Sequence, residues 1–364
     1  MLPSLGIRNY RNLKSLDIDR LARVNLIAGK NNTGKTSLLE AVSLYAAGGD
    51  VQWINTLLKA RGEYQQTLVS SDKKNNLSDL LRNNIKSYRA IFYQREVDDQ
   101  IEVGSLSKNS TQKLTIVISQ SEYPNETGSV NPEIILRINN RNETVTSSLD
   151  KDLSSGIWNW DRLTTYEVKK KSESFTSNFQ FVGTKGNMVY EDAVLWDKIV
   201  LKEEEVQVTE ALKVIDGSIV RIAFINTEVE GIRKPVVKMS SYEETIPLQS
   251  MGDGMNRMFS IVLAIVNAKN GYLLIDEFEN GLHYTVQEDL WKMIFKLAKE
   301  LNVQVFATTH SDDCIHAFKQ VFNGEGNEEE GQYFRLEKFG EIIKPIFYSA
   351  SELEIAVEHN IETR

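Results

Sequence analysis

The sequence predicts an α/β fold with a mixed, largely parallel central sheet, and three stretches carry that prediction. The apolar run Val24–Ala28 passes directly into G-K-N-N-T-G-K-T-S and then into a helical segment. A second run, Tyr272–Ile275, ends in Asp276-Glu277. A third, Val303–Ala307, follows an amphipathic helix and ends in T-T-H-S-D-D. Continuous apolar strands alternating with helices are the pattern of strands buried on both faces. Open α/β sheets bind ligands at the carboxyl ends of such strands, and polar residues cluster at all three ends here.

Taken in order, Leu5–Arg8 and Leu16–Ile18 read as short strands of an N-terminal antiparallel β subdomain, and a helix is expected over Thr36–Ala46. From Asp50 to Val182, connectors such as K-K-N-N-L-S-D-L-L-R-N-N separate strand-like runs at Ala90–Gln94, Leu114–Ser119 and Ile134–Ile138. Their period is near two and no apolar heptad is sustained, which predicts a mixed, β-rich insertion and not a coiled-coil arm. Helical patterning returns at Glu203–Ile215, followed by a strand at Val220–Ile225. The turn S-M-G-D-G-M-N-R-M-F then enters a helix containing Ile261–Val266, and another helix is expected over Val286–Leu301. The division that follows is 1–50 and 181–345 as two parts of one head, 51–180 as the insertion, and 346–364 as an acidic, amphipathic tail. That tail reads either as a docking segment or as a solvated terminal helix.

Composition narrows the function classes. The chain has 364 residues, 41% hydrophobic and 26% charged, with a formal net charge of -9. That balance argues against a surface coated in basic residues for nucleic acid, while leaving room for a local basic groove. Lys73-Lys74 and Lys169-Lys170-Lys171 are short basic runs in polar surroundings, a pattern more typical of solvated faces. The single cysteine, Cys314, excludes an intramolecular disulfide framework, and four histidines leave little material for a zinc cluster. No apolar run approaches the roughly 20 residues of a membrane span, and the N-terminus lacks a signal-peptide core. A cytoplasmic protein with no membrane contact is therefore expected.

Gly29-Lys30-Asn31-Asn32-Thr33-Gly34-Lys35-Thr36 satisfies G-x-x-x-x-G-K-[ST] between a predicted strand and a predicted helix, and Ser37 continues it. The two glycines let successive backbone N–H groups curl toward phosphate oxygens at a helix N-terminus. Lys35 is suited to the β and γ phosphates of ATP, and the Thr36 hydroxyl to Mg²⁺. Leu273-Leu274-Ile275-Asp276-Glu277 supplies the companion carboxylates: Asp276 to hold Mg²⁺, and Glu277 to orient or deprotonate the attacking water. His310, after the next strand, is placed to donate a hydrogen bond to the leaving phosphoryl group. His283 reads equally as an interface residue or as a capping or core residue, and His316 and His359 as structural or surface residues.

Together the phosphate loop, L-L-I-D-E, the following E-N-G-L-H, and T-T-H-S resemble an ABC-type P-loop ATPase head. The resemblance is strongest to the DNA-associated RecF and chromosome-maintenance (SMC) group, and within it to the ATPase domains of overcoming-lysogenisation-defect (OLD) proteins and their stand-alone relatives. Ile7-Arg8-Asn9-Tyr10-Arg11-Asn12-Leu13 resembles their first strand and turn, and matching motifs span about 1–50 and 181–320. In such families two heads sandwich ATP, and a signature segment of one meets the phosphate held by the other. The resemblance gives that role to Ser250, Gly252 and Gly254 of Ser250-Met251-Gly252-Asp253-Gly254, a departure from L-S-G-G-Q that sets the Asp253 carboxylate near the site. It further implies that Arg11 approaches the phosphates. The Mg²⁺-sensing glutamine of cassettes has no motif to anchor it, and Gln94 is the one candidate.

The implied activity is ATP hydrolysis by a dimeric switch, a homodimer or higher oligomer closed through ATP, with DNA as a further partner class. Nuclease members of the OLD group carry a Toprim domain after the ATPase. The 54 residues following His310 are too few for one and contain no Asp-x-Asp. The expectation is therefore an ATPase that is not itself a nuclease, serving a bacterial anti-phage or DNA-associated system with a separately encoded nuclease or toxin as effector. The alternatives are the nucleotide-binding subunit of a transporter, against which the insertion and the absent L-S-G-G-Q count, and an ATP-dependent scaffold with negligible turnover.

Overall fold

The computed structural model describes residues 1–64, 87–97, 99–107, 113–124, 130–140, 143–148, 177–184, 189–227, 233–324 and 326–359. Among these residues the strands form three sheets, and the central one positions the site. It is built from β3 (Val24–Ala28), β8 (Phe179–Val182), β12 (Tyr272–Ile275), β13 (Gln304–Thr308), β14 (Gly331–Phe339) and β15 (Ile342–Tyr348). Their order is β15-β14-β3-β13-β12-β8, with β15 antiparallel and the neighbouring pairs from β14 to β8 parallel. The sheet is therefore mixed, as predicted. Every residue of β3, β12 and β13 is buried, which explains their largely apolar sequences; the buried polar side chains of Asn25 and Gln304 are hydrogen-bonded to backbone carbonyls.

Alternation along these strands feeds two cores on opposite faces. Leu26, Leu273, Ile275, Val305 and Ala307 point into one core, shared with α5 (Asp253–Asn267), α6 (Tyr284–Glu300) and α7 (Asp312–Phe322). Ile27, Leu274 and Phe306 point into the other, shared with α1 (Lys35–Ala46), α2 (Val51–Ala60) and the N-terminal sheet. A side-chain period of two and a helical face on each side account for this three-layer arrangement.

The N-terminal hairpin, β1 (Leu5–Tyr10) and β2 (Leu13–Ile18), does not form a sheet of its own. Strands of the region expected to be an insertion extend it, in the order β2-β1-β4-β5-β6-β7, where β4 is Ile101–Gly104, β5 Lys113–Pro124, β6 Val130–Asn140 and β7 Glu143–Ser148. The joining contact is β1 to β4, antiparallel, with Gly6 opposite Gly104. The strand expected at Ala90–Gln94 is instead a single bridge between Tyr10 and Phe92 followed by a 3₁₀ turn. Gln94 and Arg95 there have φ of 50° and 63°, which no extended strand accommodates. A third, three-stranded sheet, β9 (Ile219–Asn226), β10 (Arg233–Met239) and β11 (Thr245–Pro247), lies beside helices α3 (Val189–Ile199) and α4 (Glu203–Lys213).

The acidic tail forms α8 (Ala350–Glu358), started by a reciprocal capping box between Ser349 and Glu352. Leu353, Ala356 and Val357 are buried, so one face of this helix packs on the head and the other is solvated. Residues 360–364 lie outside the described residues, as do Lys73, Lys74 and Lys169–Lys171. Among the described residues no helix is long and apolar enough to cross a membrane.

Candidate nucleotide site

The register of the parallel strands decides which chain segments meet. β13 lies between β3 and β12, so the loop after β3 and the carboxylates after β12 are one strand apart on the same edge. The loop itself needs its glycines. Gly29 has φ 150°, and a Cβ there would sit 2.8 Å from the Leu336 carbonyl oxygen. Gly34 has φ 89°, and a Cβ there would sit 2.6 Å from Leu13 Cδ2. Thr33 closes the curl by donating its hydroxyl to the Lys30 carbonyl at 2.8 Å, and Asn32 adopts φ 65°. Lys30, Asn31 and Asn32 are exposed at the rim, whereas Thr33, Gly34 and Ser37 are buried. Helix α1 begins at Lys35 with no side-chain cap, leaving the N–H groups of its first turn directed at the loop.

Lys35 Nζ reaches back over the rim to the carbonyls of Gly29 and Lys30, the latter at 3.0 Å. Burial lowers its pKa, opposed by the negative charges of Asp276, Glu279 and Glu277. Thr36 Oγ1 lies 3.2 and 3.1 Å from the two carboxylate oxygens of Asp276. A hydroxyl and a carboxylate held together at the foot of a phosphate loop are the hard oxygen donors that Mg²⁺ takes alongside phosphates and water, so these residues fit Mg²⁺·ATP.

Thr308, at the end of β13, also belongs to this constellation. It donates to Asp276 Oδ1 at 2.7 Å and accepts the Glu277 backbone N–H at 2.9 Å. Glu277 has φ 49°, a left-handed conformation that costs a non-glycine residue roughly 1–3 kcal/mol. The expected base thus sits on a turn that its surroundings must hold. Its carboxylate is accessible, with Asn280 Nδ2 at 3.3 Å from Oε2.

His310 lies beside it, with Nδ1 3.9 Å from Glu277 Oε1 and 3.1 Å from Glu279 Oε1. Glu279, only 11% exposed, also accepts the Thr309 hydroxyl at 2.8 Å and the His310 backbone N–H at 3.0 Å. Glu279 and Thr308 are not among the residues that the motifs single out. Their signals were present in E-F-E-N-G and T-T-H-S, but their partners depend on strand register.

The segment Ser250–Gly254 forms a 3₁₀ turn leading into α5 through Gly252, at φ 94°. Ser250, Gly252 and Asp253 are exposed, and the helix N-terminus has no side-chain cap. Gly254 packs against the loop that follows Glu277, where a Cβ would lie 3.3 Å from the Gly281 carbonyl.

Arg11 is held differently from the expected phosphate contact. Its side chain is 5% exposed, with Nε 2.5 Å from Glu40 and Nη1 2.7 Å from Glu63. Its neighbour Asn12 reaches the loop, Nδ2 donating to the Asn32 carbonyl at 3.4 Å. Gln94 is exposed, and its amide is 3.4 Å from the hydroxyl of adjacent Tyr93. The position flanking the Asp276 turn is occupied instead by Gly183-Thr184 after β8, where Asn280 Nδ2 donates to the Thr184 carbonyl at 2.9 Å. His283 is the N-cap of α6, its Nδ1 accepting from Thr285 N.

A glycine loop at a helix N-terminus, joined through Thr36 to a strand-end aspartate that a glutamate follows, defines the site of a P-loop ATPase. The chain belongs to the AAA ATPase domain family AAA_15, whose model matches residues 1–48 and 50–315. A relative named ATP/GTP phosphatase from Helicobacter pylori is 24% identical over 389 residues, covering 99% of this chain and 98% of that protein. The DNA replication and repair protein RecF of Cellvibrio japonicus is 53% identical over 47 residues, 13% of each chain. Among solved structures, an SMC head bound to the C-terminal winged-helix domain of ScpA aligns over 98% of this chain and 99% of its own, at 13% identity and a TM-score of 0.47.

Proposed function

We propose that this ATPase is a dimeric switch in which two heads close on Mg²⁺·ATP and reopen after hydrolysis. Gly29 to Ser37 bind the phosphates through backbone N–H groups, with Lys35 set against the β and γ phosphates. Thr36 and Asp276 hold Mg²⁺, which when bound neutralises charge on the phosphates. Glu277 takes a proton from the attacking water, and His310 donates a hydrogen bond toward the transferred phosphoryl group. Ser250, Gly252 and Gly254 meet the nucleotide of the opposite head.

The observation that carries the dimeric reading is the exposed, uncapped N-terminus of α5 behind Gly252. Its free N–H groups and the helix dipole favour an anion, and nothing on its own side chains satisfies them. The test is complementation in trans. Mixing Lys35→Ala protein with Gly252→Val protein should restore hydrolysis from two inactive variants; a mixture that stays inactive counts against the shared site.

The setting we propose is a cytoplasmic, DNA-associated or anti-phage system of the OLD-like kind, with a separately encoded Toprim-type nuclease or toxin as effector. The RecF match supports DNA association, and the full-length similarity to an ATP/GTP phosphatase supports turnover in place of a purely structural nucleotide. Co-expression with the product of the adjacent open reading frame, followed by pull-down with and without ATP, tests the effector. Hydrolysis rates with and without DNA across a salt series test the nucleic-acid link.

A further inference from the structure

One buried arginine takes no part in this scheme. Arg257 lies near the start of α5 and is 5% exposed. Its Nη1 donates to the Gly183 carbonyl at 2.5 Å, and its Nη2 to the Asp276 carbonyl at 2.8 Å and the Glu277 carbonyl at 3.0 Å. Its Nε is buried and has no partner among the described residues. Burial lowers its pKa to about 10, while Asp276, Glu279 and Glu277 act to raise it. Three acceptors from the ends of two strands are thus gathered by one planar fork, a geometry that the point charge of lysine does not reproduce.

The residues so held are those whose backbone is hardest to hold. Glu277 is the left-handed residue of the turn, with Thr308 on its N–H and Arg257 on its carbonyl. Without both, the turn is free to relax toward ordinary φ values, and the carboxylate swings with it. A structural arginine would need only to satisfy its donors. This one spends them on the two residues that carry the chemistry and on Gly183 beside them.

We infer that Arg257 is a positioning residue for the hydrolytic base. It fixes the Asp276-Glu277 turn so that the Glu277 carboxylate faces the attacking water, and it ties that turn to the helix that begins with S-M-G-D-G. The inference rests on the assignment of Glu277 as the base.

The test uses the full chain and the variants Arg257→Lys, Arg257→Gln and Glu277→Gln, each read for thermal midpoint, affinity for a fluorescent ATP analogue, and kcat. Arg257→Lys should keep nucleotide affinity within about twofold while kcat falls roughly 100-fold, the scale of a misplaced reacting group. Arg257→Gln should show the same split, so loss of fold in one variant does not decide the matter. In the Glu277→Gln background, Arg257→Lys should change the residual rate by less than about twofold, because the group it positions is already gone. Wild-type kcat in Arg257→Lys with Glu277→Gln inactive overturns this inference alone. So does a full further loss in the double variant, or affinity falling in step with kcat. Wild-type turnover in Glu277→Gln overturns the base assignment itself, and the inference with it.

Discussion

Thr308 donates its hydroxyl to Asp276 Oδ1 at 2.7 Å, while Thr36 approaches the same carboxylate from the phosphate loop at 3.1 Å. The strand between β3 and β12 is thus part of the site, and its last side chain orients the aspartate. Thr308→Val keeps the shape and deletes the hydroxyl. Hydrogen bonds to charged groups contribute about 1.5–3 kcal/mol, so kcat should fall by tenfold or more. Thr308→Ser should stay near wild type. Steady-state hydrolysis of the two variants checks this directly.

Glu279 and His310 should behave as one unit. The carboxylate holds the imidazole at 3.1 Å and the backbone of the same residue at 3.0 Å. Glu279→Gln and His310→Ala should each slow hydrolysis, and the double variant should be no slower than His310→Ala alone. The coupling expected from a double-mutant cycle in kcat is on the order of 1–2 kcal/mol; additive losses would mean that Glu279 acts elsewhere.

Alkaline pH should weaken nucleotide binding sooner than an ordinary lysine would allow. Burial lowers the Lys35 pKa, so the apo protein loses this cation at a pH below the usual lysine range. For stability the sign is opposite: the unfolded chain binds the extra proton, so stability rises with pH between the lowered and the ordinary value. Titrations with a fluorescent ATP analogue across the alkaline range should show affinity falling. In Lys35→Arg, that fall should shift to higher pH, since guanidinium stays charged.

Arg11 should matter for stability. It lies between Glu40 and Glu63, and Glu40 also binds Arg61 at 2.7 Å. Tyr10 donates to Glu40 at 3.1 Å, and burial pushes its hydroxyl well above its ordinary pKa, keeping it a donor. Removing one partner of a buried pair costs about 3–5 kcal/mol. Arg11→Met should therefore lower the denaturation midpoint in urea markedly, with nucleotide affinity within a few-fold of wild type.

How much of this was legible in the sequence followed burial. Val24–Ala28 and Tyr272–Ile275 were readable to the residue because both faces of each strand are covered, leaving runs that are apolar but for Asn25. The phosphate loop and the Asp276-Glu277 pair were readable because each chemical need fixes a residue type at a fixed spacing. Pairing between distant segments was not readable. The second partner of β1, beside β2 of its own hairpin, is the distant β4, and alternation in a strand says nothing about which edge it joins. Arg11 shows the same limit: its turn matches a basic position of related heads, but Glu40 and Glu63 approach from other elements. Arg257 and Thr308 read as an ordinary helix residue and an ordinary strand end until the register brings both to the Glu277 backbone.

The central claim is that Glu277 activates water within an ATP-closed dimer. It is tested most directly by sedimentation of Glu277→Gln protein with and without Mg²⁺·ATP, alongside its hydrolysis rate. Removing a general base typically costs 10²- to 10⁴-fold in rate. The expected result is that loss together with a dimer that persists only when ATP is present. Wild-type hydrolysis, or a monomer at saturating ATP, would contradict it.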